Sequence, residues 1–220
     1  MQVMLGVGEQ HRALDQLAKL VTSDRHGVPL EEIDRALGLF ETVAPTAADA
    51  FRGDRLQLGM FVTRPWGDHP AVIARGVNTI DFVLREAERA AGTNDRAEID
   101  RIAALAQSES SWTNPIAATV LPSCGSVLLV GVELRARYSL VHAAIALERA
   151  RDADGRFPAS PELPLDPLAA GERLHYRLAP NARGYALWSV GRNGKDDGGR
   201  SVSPDADDIL VEHLSVDGPR

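Results

Sequence analysis

The sequence predicts an α+β fold, in which a mainly helical first part precedes a long helix packed on a small three-stranded antiparallel sheet. Before about residue 152, the chain is rich in Ala and Leu, and apolar residues recur every three or four positions. After that point, Gly, Pro, Asp and Asn become frequent, and apolar residues alternate with polar ones. We therefore predict a helical region of unknown role at 1–126 and a helix-plus-sheet module at 127–220.

The first part is predicted to contain four helices, each with one apolar face. The first three cover residues 11–21, 30–43 and 71–91. The fourth follows Thr93 or Asn94, because either side chain can cap a helix N-terminus. The chain then turns at Thr113-Asn114-Pro115.

The module begins with a long helix, predicted at 127–153. Its apolar stripe consists of Leu134, Tyr138, Val141, Ile145 and Leu147. Gly155 is expected to end it, since glycine favours the left-handed conformation common just after a helix. The three strands are predicted around 174–178, at 185–190 and at 208–214, with a hairpin turn at 181–184 between the first two. Three short strands cannot bury both faces alone, so we expect Tyr138, Val141 and Ile145 of the helix to contact strand residues.

Composition excludes several classes of function. The net charge of −7 and the pI of about 5.4 argue against a nucleic-acid partner, which needs a basic surface. A single cysteine, Cys124, excludes an internal disulfide and a cysteine-rich zinc site. The longest apolar stretch, 116–134, is interrupted by Pro, Ser, Gly and Glu, so it is interpreted as core and no membrane span is predicted. Residues 1–10 carry no positive charge and do not resemble a signal peptide.

Common catalytic motifs are missing from the sequence. No metalloprotease, hydrolase-elbow or phosphate-loop pattern occurs, and Gly6-Val7-Gly8 is followed by His11 where a dinucleotide motif needs its third glycine. Nothing near Cys124 would lower a thiol pKa, so it is interpreted as a buried small residue. We therefore predict that the protein is not an enzyme.

One loop has the composition of a metal site. Residues 189–199 and 205–208 bring together glycines, an asparagine and five aspartates. Calcium takes six to eight oxygen ligands from carboxylates, carbonyls and water, and glycines let a backbone turn its carbonyls toward an ion. The spacing differs from that of an EF-hand, because Lys195 and Pro204 stand where that loop needs ligands. A solvated acidic hairpin loop is the alternative interpretation.

Residues from about 138 to 214 resemble the C-terminal region of the pseudopilins of type II secretion, and of pseudopilin-like proteins built in the same way. Several short strings in matching order carry the resemblance. They are Ala144-Ile145-Ala146-Leu147-Glu148-Arg149, Asp154-Gly155-Arg156-Phe157-Pro158, Pro164-Leu165-Asp166-Pro167, Tyr176, Trp188-Ser189-Val190-Gly191, Asn193-Gly194, Asp196-Asp197-Gly198-Gly199 and Asp208-Ile209.

The resemblance implies a calcium ion in this loop that stabilises the subunit for assembly into a short fibre. Transferred to this chain, the side-chain ligands are Asp197, Asp207 and Asp208, with Asn193 and Asp196 next. Backbone carbonyls near Val190 and Arg192 complete the shell. Asn193 stands where the family usually has an aspartate, and the cleavable leader and apolar first helix of a pilin are not visible.

Three functional hypotheses follow. The first is a non-enzymatic pseudopilin-like structural or assembly protein with a calcium-stabilised loop, linked to secretion or the cell envelope and, by resemblance, periplasmic or extracellular. It assembles with itself or binds a protein partner. The second is a helical protein–protein interaction module with a metal-free β appendage, favoured by the size of the helical part. The third is an enzyme without a recognisable motif.

Overall fold

The predicted α+β fold is confirmed by a computed structural model of the chain, in which helices predominate and three strands form one antiparallel sheet. The structure describes residues 2–23, 28–43, 46–52, 70–93, 95–111, 113–151, 155–200 and 207–213. Backbone contacts divide the chain into two units. One contains residues 1–44 and 133–220, and the other contains residues 45–132. This division groups the first 44 residues with the C-terminal module, whereas the predicted boundary at 126/127 separates them.

In the first unit, two N-terminal helices accompany the module. Helix α1 covers Gln2–Thr22 and is longer at its N-terminal end than the predicted helix at 11–21. Helix α2 covers Leu30–Val43, the predicted range. Their buried faces follow the helical period and consist of Leu14, Ala18, Val21, Leu30, Ile33 and Leu37.

The secondary-structure elements described in the second unit are all helices. Residues 47–52 are helical, and α3 (Pro70–Ala91), α4 (Arg96–Glu109) and the short α5 (Pro115–Val120) follow. The cap of α4 is Asp95, whose Oδ1 accepts the N–H groups of Ala97 and Glu98, so the predicted cap at Thr93 or Asn94 is wrong. Asp95 is a favourable cap because its carboxylate also interacts with the positive end of the helix dipole.

The long helix α6 covers Pro122–Arg149. It begins five residues before the predicted start at 127 and ends four residues before the predicted end at 153. A proline is compatible with the first turn of a helix, where its missing N–H would have no partner anyway. Gly125 lets this turn pack closely against α4, because a Cβ at this position would lie only 3.0 Å from the Cβ of Ala103. Gly155 has a φ of +76° but lies beyond the helix end, so it turns the following loop.

The sheet has the strand order β1-β2-β3, with β1 at His175–Leu178, β2 at Tyr185–Ser189 and β3 at Ile209–His213. The hairpin between β1 and β2 turns where predicted: Ala179 donates its N–H to the carbonyl of Gly184, and Ala182 adopts a φ of +58°. All five residues of β2 are buried, because this central strand has a neighbour on each side.

Two contacts show how the module is covered. Tyr138 of α6, which we expected to contact a strand residue, has its ring 6.2 Å from that of Phe40 in α2. Glu148, near the end of α6, places Oε1 2.8 Å from Nδ1 of His213 in β3, and both side chains are largely buried. The helix therefore contacts α2 through an aromatic pair and the sheet through a buried polar pair.

Phe157 is predicted to be structural, and its side chain is only 4% exposed. Its ring packs edge-on against Tyr185 at 4.9 Å and against His213 at 5.0 Å, and its N–H donates to the carbonyl of Ala182. It therefore fills the space between the loop that leaves α6 and the two strands β2 and β3.

We expect Phe157→Ala to lower the free energy of unfolding by about 3–5 kcal/mol, because it leaves a cavity among buried rings. The control is Phe82→Ala on α3, whose side chain is 54% exposed, with an expected change within about 0.5 kcal/mol. Urea unfolding of both variants measures the difference. Equal losses in the two variants would contradict the assigned packing of Phe157.

Candidate metal site

The loop after β2 starts from a buried carboxylate. Asp166 is 2% exposed and its Oδ1 accepts hydrogen bonds from the hydroxyl of Ser189, at 2.7 Å, and from the N–H of Leu168, at 2.9 Å. Its Oδ2 accepts the N–H of Val190 at 2.9 Å. The end of β2 is thus fixed by a side chain that lies more than twenty residues earlier in the sequence.

Gly191, the next residue, lies directly against Asp207. A Cβ added at Gly191 would lie 2.0 Å from Oδ1 of Asp207, well inside van der Waals contact. Only glycine fits here, because the two segments on either side of the loop approach each other backbone to backbone.

Asn193 organises the turn that follows. Its Oδ1 accepts the N–H of Lys195 at 2.7 Å, and its Nδ2 donates to Oδ2 of Asp197 at 3.0 Å. Its backbone N–H donates to Oδ2 of Asp207 at 3.2 Å. Asn193 therefore contacts two of the predicted ligands, Asp197 through its side chain and Asp207 through its backbone. An ionised aspartate at this position could not make the bond to Asp197, because a carboxylate has no hydrogen to donate.

Asp208 closes the loop from the start of β3. Its side chain is buried, and its Oδ2 accepts the N–H groups of Asp197, at 3.1 Å, and Gly199, at 2.8 Å. Its Oδ1 is equally buried but has no hydrogen-bond partner among the described residues. Burial raises the pKa of this carboxyl above its ordinary value, and the negative charge of Asp197 adds to that, despite the opposing backbone hydrogen bonds from Gly199, Asp197 and Arg200.

Asp196 has a different role from the other aspartates. Its Oδ1 accepts the indole N–H of Trp188 and the backbone N–H of Gly198, both at 2.8 Å, and its Oδ2 lies 3.4 Å from Nδ1 of His175. Burial raises its pKa, but these hydrogen bonds and the charges of His175 and Arg177 outweigh it, so the net pKa is lowered. Both carboxylate oxygens are already engaged on the side of the loop that faces Trp188.

The structure therefore brings four predicted ligands into one hydrogen-bonded network: Asn193, Asp197, Asp207 and Asp208. The backbone of Val190 and Arg192 lies at the start of the same loop, whereas Asp205 lies outside the described residues. Among the residues that the structure describes, no three His, Cys, Asp or Glu side chains form a metal-binding group by themselves. An ion here would need backbone carbonyls, the asparagine oxygen and water in addition to carboxylates.

Sequence reasoning did not identify one residue that reaches this loop. Glu133 of α6 is 13% exposed, and its Oε2 accepts hydrogen bonds from Nε and Nη2 of Arg192 at 2.9 and 2.7 Å. Burial raises the pKa of Glu133, but the hydrogen bonds and the positive charge of Arg192 lower it by a larger amount, so the net pKa is below its ordinary value. No local pattern signals this pair, because 59 residues separate its members.

A cavity of about 750 Å³ lies beside the loop, between α1, α6 and β3, within the first unit. Its apolar wall includes Leu14, Ala18, Leu140, Val141, Ile209 and Val211, and its charged groups are Asp15, Lys19, Glu133, Arg137, Arg192, Asp207, Asp208 and Glu212. Several of these charges pair with one another across the cavity wall.

Comparisons with protein families, curated proteins and solved structures find no match for this chain. Among the described helices, none is both long and apolar enough to cross a membrane.

We expect Asp166→Asn to lower the free energy of unfolding by at least about 2 kcal/mol, because one of its three buried donors would face an amide NH₂. The control is Asp100→Asn, whose exposed carboxylate pairs with Arg96 on α4 and whose loss is expected below about 1 kcal/mol. Urea unfolding in chelator checks both values. A loss no greater than that of the control would show that Asp166 does not hold the end of β2.

Proposed function

We propose that this chain is a non-enzymatic, pseudopilin-like structural or assembly protein whose loop at 190–200 and 207–208 is stabilised by calcium. Its expected setting is the periplasm or the extracellular side of the cell envelope, linked to secretion. Its expected partners are other proteins or further copies of itself. The support comes from the chemistry of the loop and from the resemblance of its strings to that family.

The observation that carries the proposal is the unpartnered Oδ1 of Asp208. A buried carboxylate oxygen without a hydrogen bond costs several kcal/mol if the group is ionised, so it must either bind a proton or bind a cation. The raised pKa of Asp208 has the same cause, the burial of its carboxylate. Calcium would provide the second, because it prefers hard, negatively charged oxygen ligands.

The neighbouring groups supply further oxygens of the right kind. Asp197 approaches Asp208 through its own backbone N–H, and its carboxylate is bonded to the Asn193 amide. Asp207 lies at the adjoining position of the chain. With the carbonyls of Val190 and Arg192 and with water, this set would supply the six or more oxygens that calcium needs. The Val190 carbonyl also lies 3.0 Å from the Ser189 hydroxyl, so its use as a ligand would require that hydroxyl to bond to Asp166 alone. Asp196 is the least available of the predicted ligands, because Trp188, Gly198 and His175 already contact its oxygens.

We expect calcium to raise the melting temperature of the wild-type chain. An ion that binds only the folded state contributes about 2.7 kcal/mol at a hundredfold excess over its Kd, which corresponds to about 5–10 °C for a chain of this size. Differential scanning calorimetry in calcium and in chelator measures the increase, and titration calorimetry gives the affinity. Equal stabilisation by magnesium would indicate general charge screening and would contradict a calcium site.

We expect Asp208→Asn to lose this calcium-dependent increase while keeping its melting temperature in chelator, or even raising it. The amide oxygen can still accept the N–H groups of Asp197 and Gly199, and a buried neutral amide costs less than an unpaired carboxylate. Asp100→Asn removes the same charge from α4 and should retain the full calcium effect. A normal calcium response in Asp208→Asn would contradict the proposed site.

A further inference from the structure

A chain of ion pairs connects the proposed calcium loop to two helices of the same unit. Arg192, at the start of the loop, makes a two-pronged contact with Oε2 of Glu133 on α6. Oε1 of the same glutamate accepts a hydrogen bond from Arg137, one turn further along α6, at 3.3 Å. Arg137 in turn donates to Asp15 of α1. Glu133 is therefore the branch point between the loop and α1.

The position of Arg192 in the chain makes this contact relevant to the loop. Its two neighbours are Gly191, which packs against Asp207, and Asn193, whose N–H donates to the Asp207 carboxylate. The carbonyl of Gly191 also accepts the N–H of Gly194, which closes the first turn. Anchoring the Arg192 side chain therefore fixes the orientation of the peptide units whose carbonyls would face the ion.

The burial of Glu133 makes its contact stronger than an ordinary surface pair. Its side chain is 13% exposed and that of Arg137 is 20% exposed, so water screens their interaction only partly. Asp15 and Arg192, at the two outer ends, are about half exposed. Removing the central charge would leave the two arginines without their shared acceptor, whereas removing either outer group leaves the rest of the chain intact.

We propose that Glu133 is a positioning residue that couples the calcium loop to α1, so that calcium binding and docking of α1 stabilise each other. This inference rests on the proposed function, because it needs an ion in the loop. Coupling of this kind is reciprocal: if α1 docking favours the ion-binding form of the loop, calcium must favour docking of α1 by the same factor.

The test uses the full chain and calcium itself as the probe. Titration calorimetry is expected to show that Glu133→Gln weakens calcium binding at least about fivefold, the lower end of typical coupling between sites. Hydrogen exchange is expected to slow in the α1 residues 10–22 when calcium is added to the wild type. In Glu133→Gln, saturating calcium should still protect the loop but no longer protect α1.

Arg192→Gln provides a second variant in case Glu133→Gln folds poorly, since the Arg192 side chain is 47% exposed and costs less to replace. It should reproduce the loss of affinity, and the double variant should lose no more than the larger single loss, because both changes break the same pair. Glu98→Gln is the matched control: Glu98 also accepts hydrogen bonds from an arginine, Arg101, but on α4. It should change neither affinity nor exchange.

The outcomes separate the two proposals. If the wild type binds no calcium, both the proposed function and this coupling are wrong. If the wild type binds calcium but both variants keep the wild-type affinity, or α1 exchange does not respond to calcium, the calcium site stands and the coupling is overturned.

Discussion

Two buried carboxylates, Asp166 and Asp208, determine the course of the loop that joins β2 to β3. A carboxylate is stable in the protein interior only when its oxygens are bonded, and here backbone N–H groups supply most of the bonds. The chain must therefore turn so that Val190 presents its N–H to one carboxylate and Gly199 presents its N–H to the other. The positive φ of Gly199 and the close approach of Gly191 to Asp207 follow from this requirement. Of the four oxygens of these two carboxylates, Oδ1 of Asp208 has no hydrogen-bond partner among the described residues, and the proposed ion binding begins there.

Three of the residues in the strings that resemble the pseudopilin family, Phe157, Asp166 and Asp196, contact residues of the central strand β2. Phe157 packs on Tyr185 at one end of this strand, and Asp166 binds Ser189 at the other. Trp188 holds Asp196, on the outer side of the loop. Each string is short and would mean little alone. These three contacts have β2 in common, which gives the three residues a shared structural role.

Charge pairing extends this organisation to the helices. Along the cavity wall, Glu133 joins Arg192 to Arg137, and Arg137 reaches Asp15 of α1. An ion in the loop would therefore bind next to a segment that ion pairs already connect to α1. This gives the N-terminal helix a place in the module, although the sequence on its own assigned no role to that region. The grouping of residues 1–44 with 133–220 is consistent with that connection.

The sequence by itself determined the α+β class, the spans of α2 and α3 to within a residue and the three strands to within one or two. These features depend on local periodicity and on glycine-rich turns, which are visible in any short window. The sequence also indicated candidate calcium ligands, because oxygen-bearing side chains close to glycines are typical of a calcium-binding loop. These candidates include Asn193, Asp197, Asp207 and Asp208. Only the tertiary structure decided that Asp196 turns toward Trp188, that Asp95 caps α4, and that Glu133 reaches Arg192. Those outcomes depend on which distant groups meet and on how deeply each carboxylate is buried, and neither property is encoded in a local pattern.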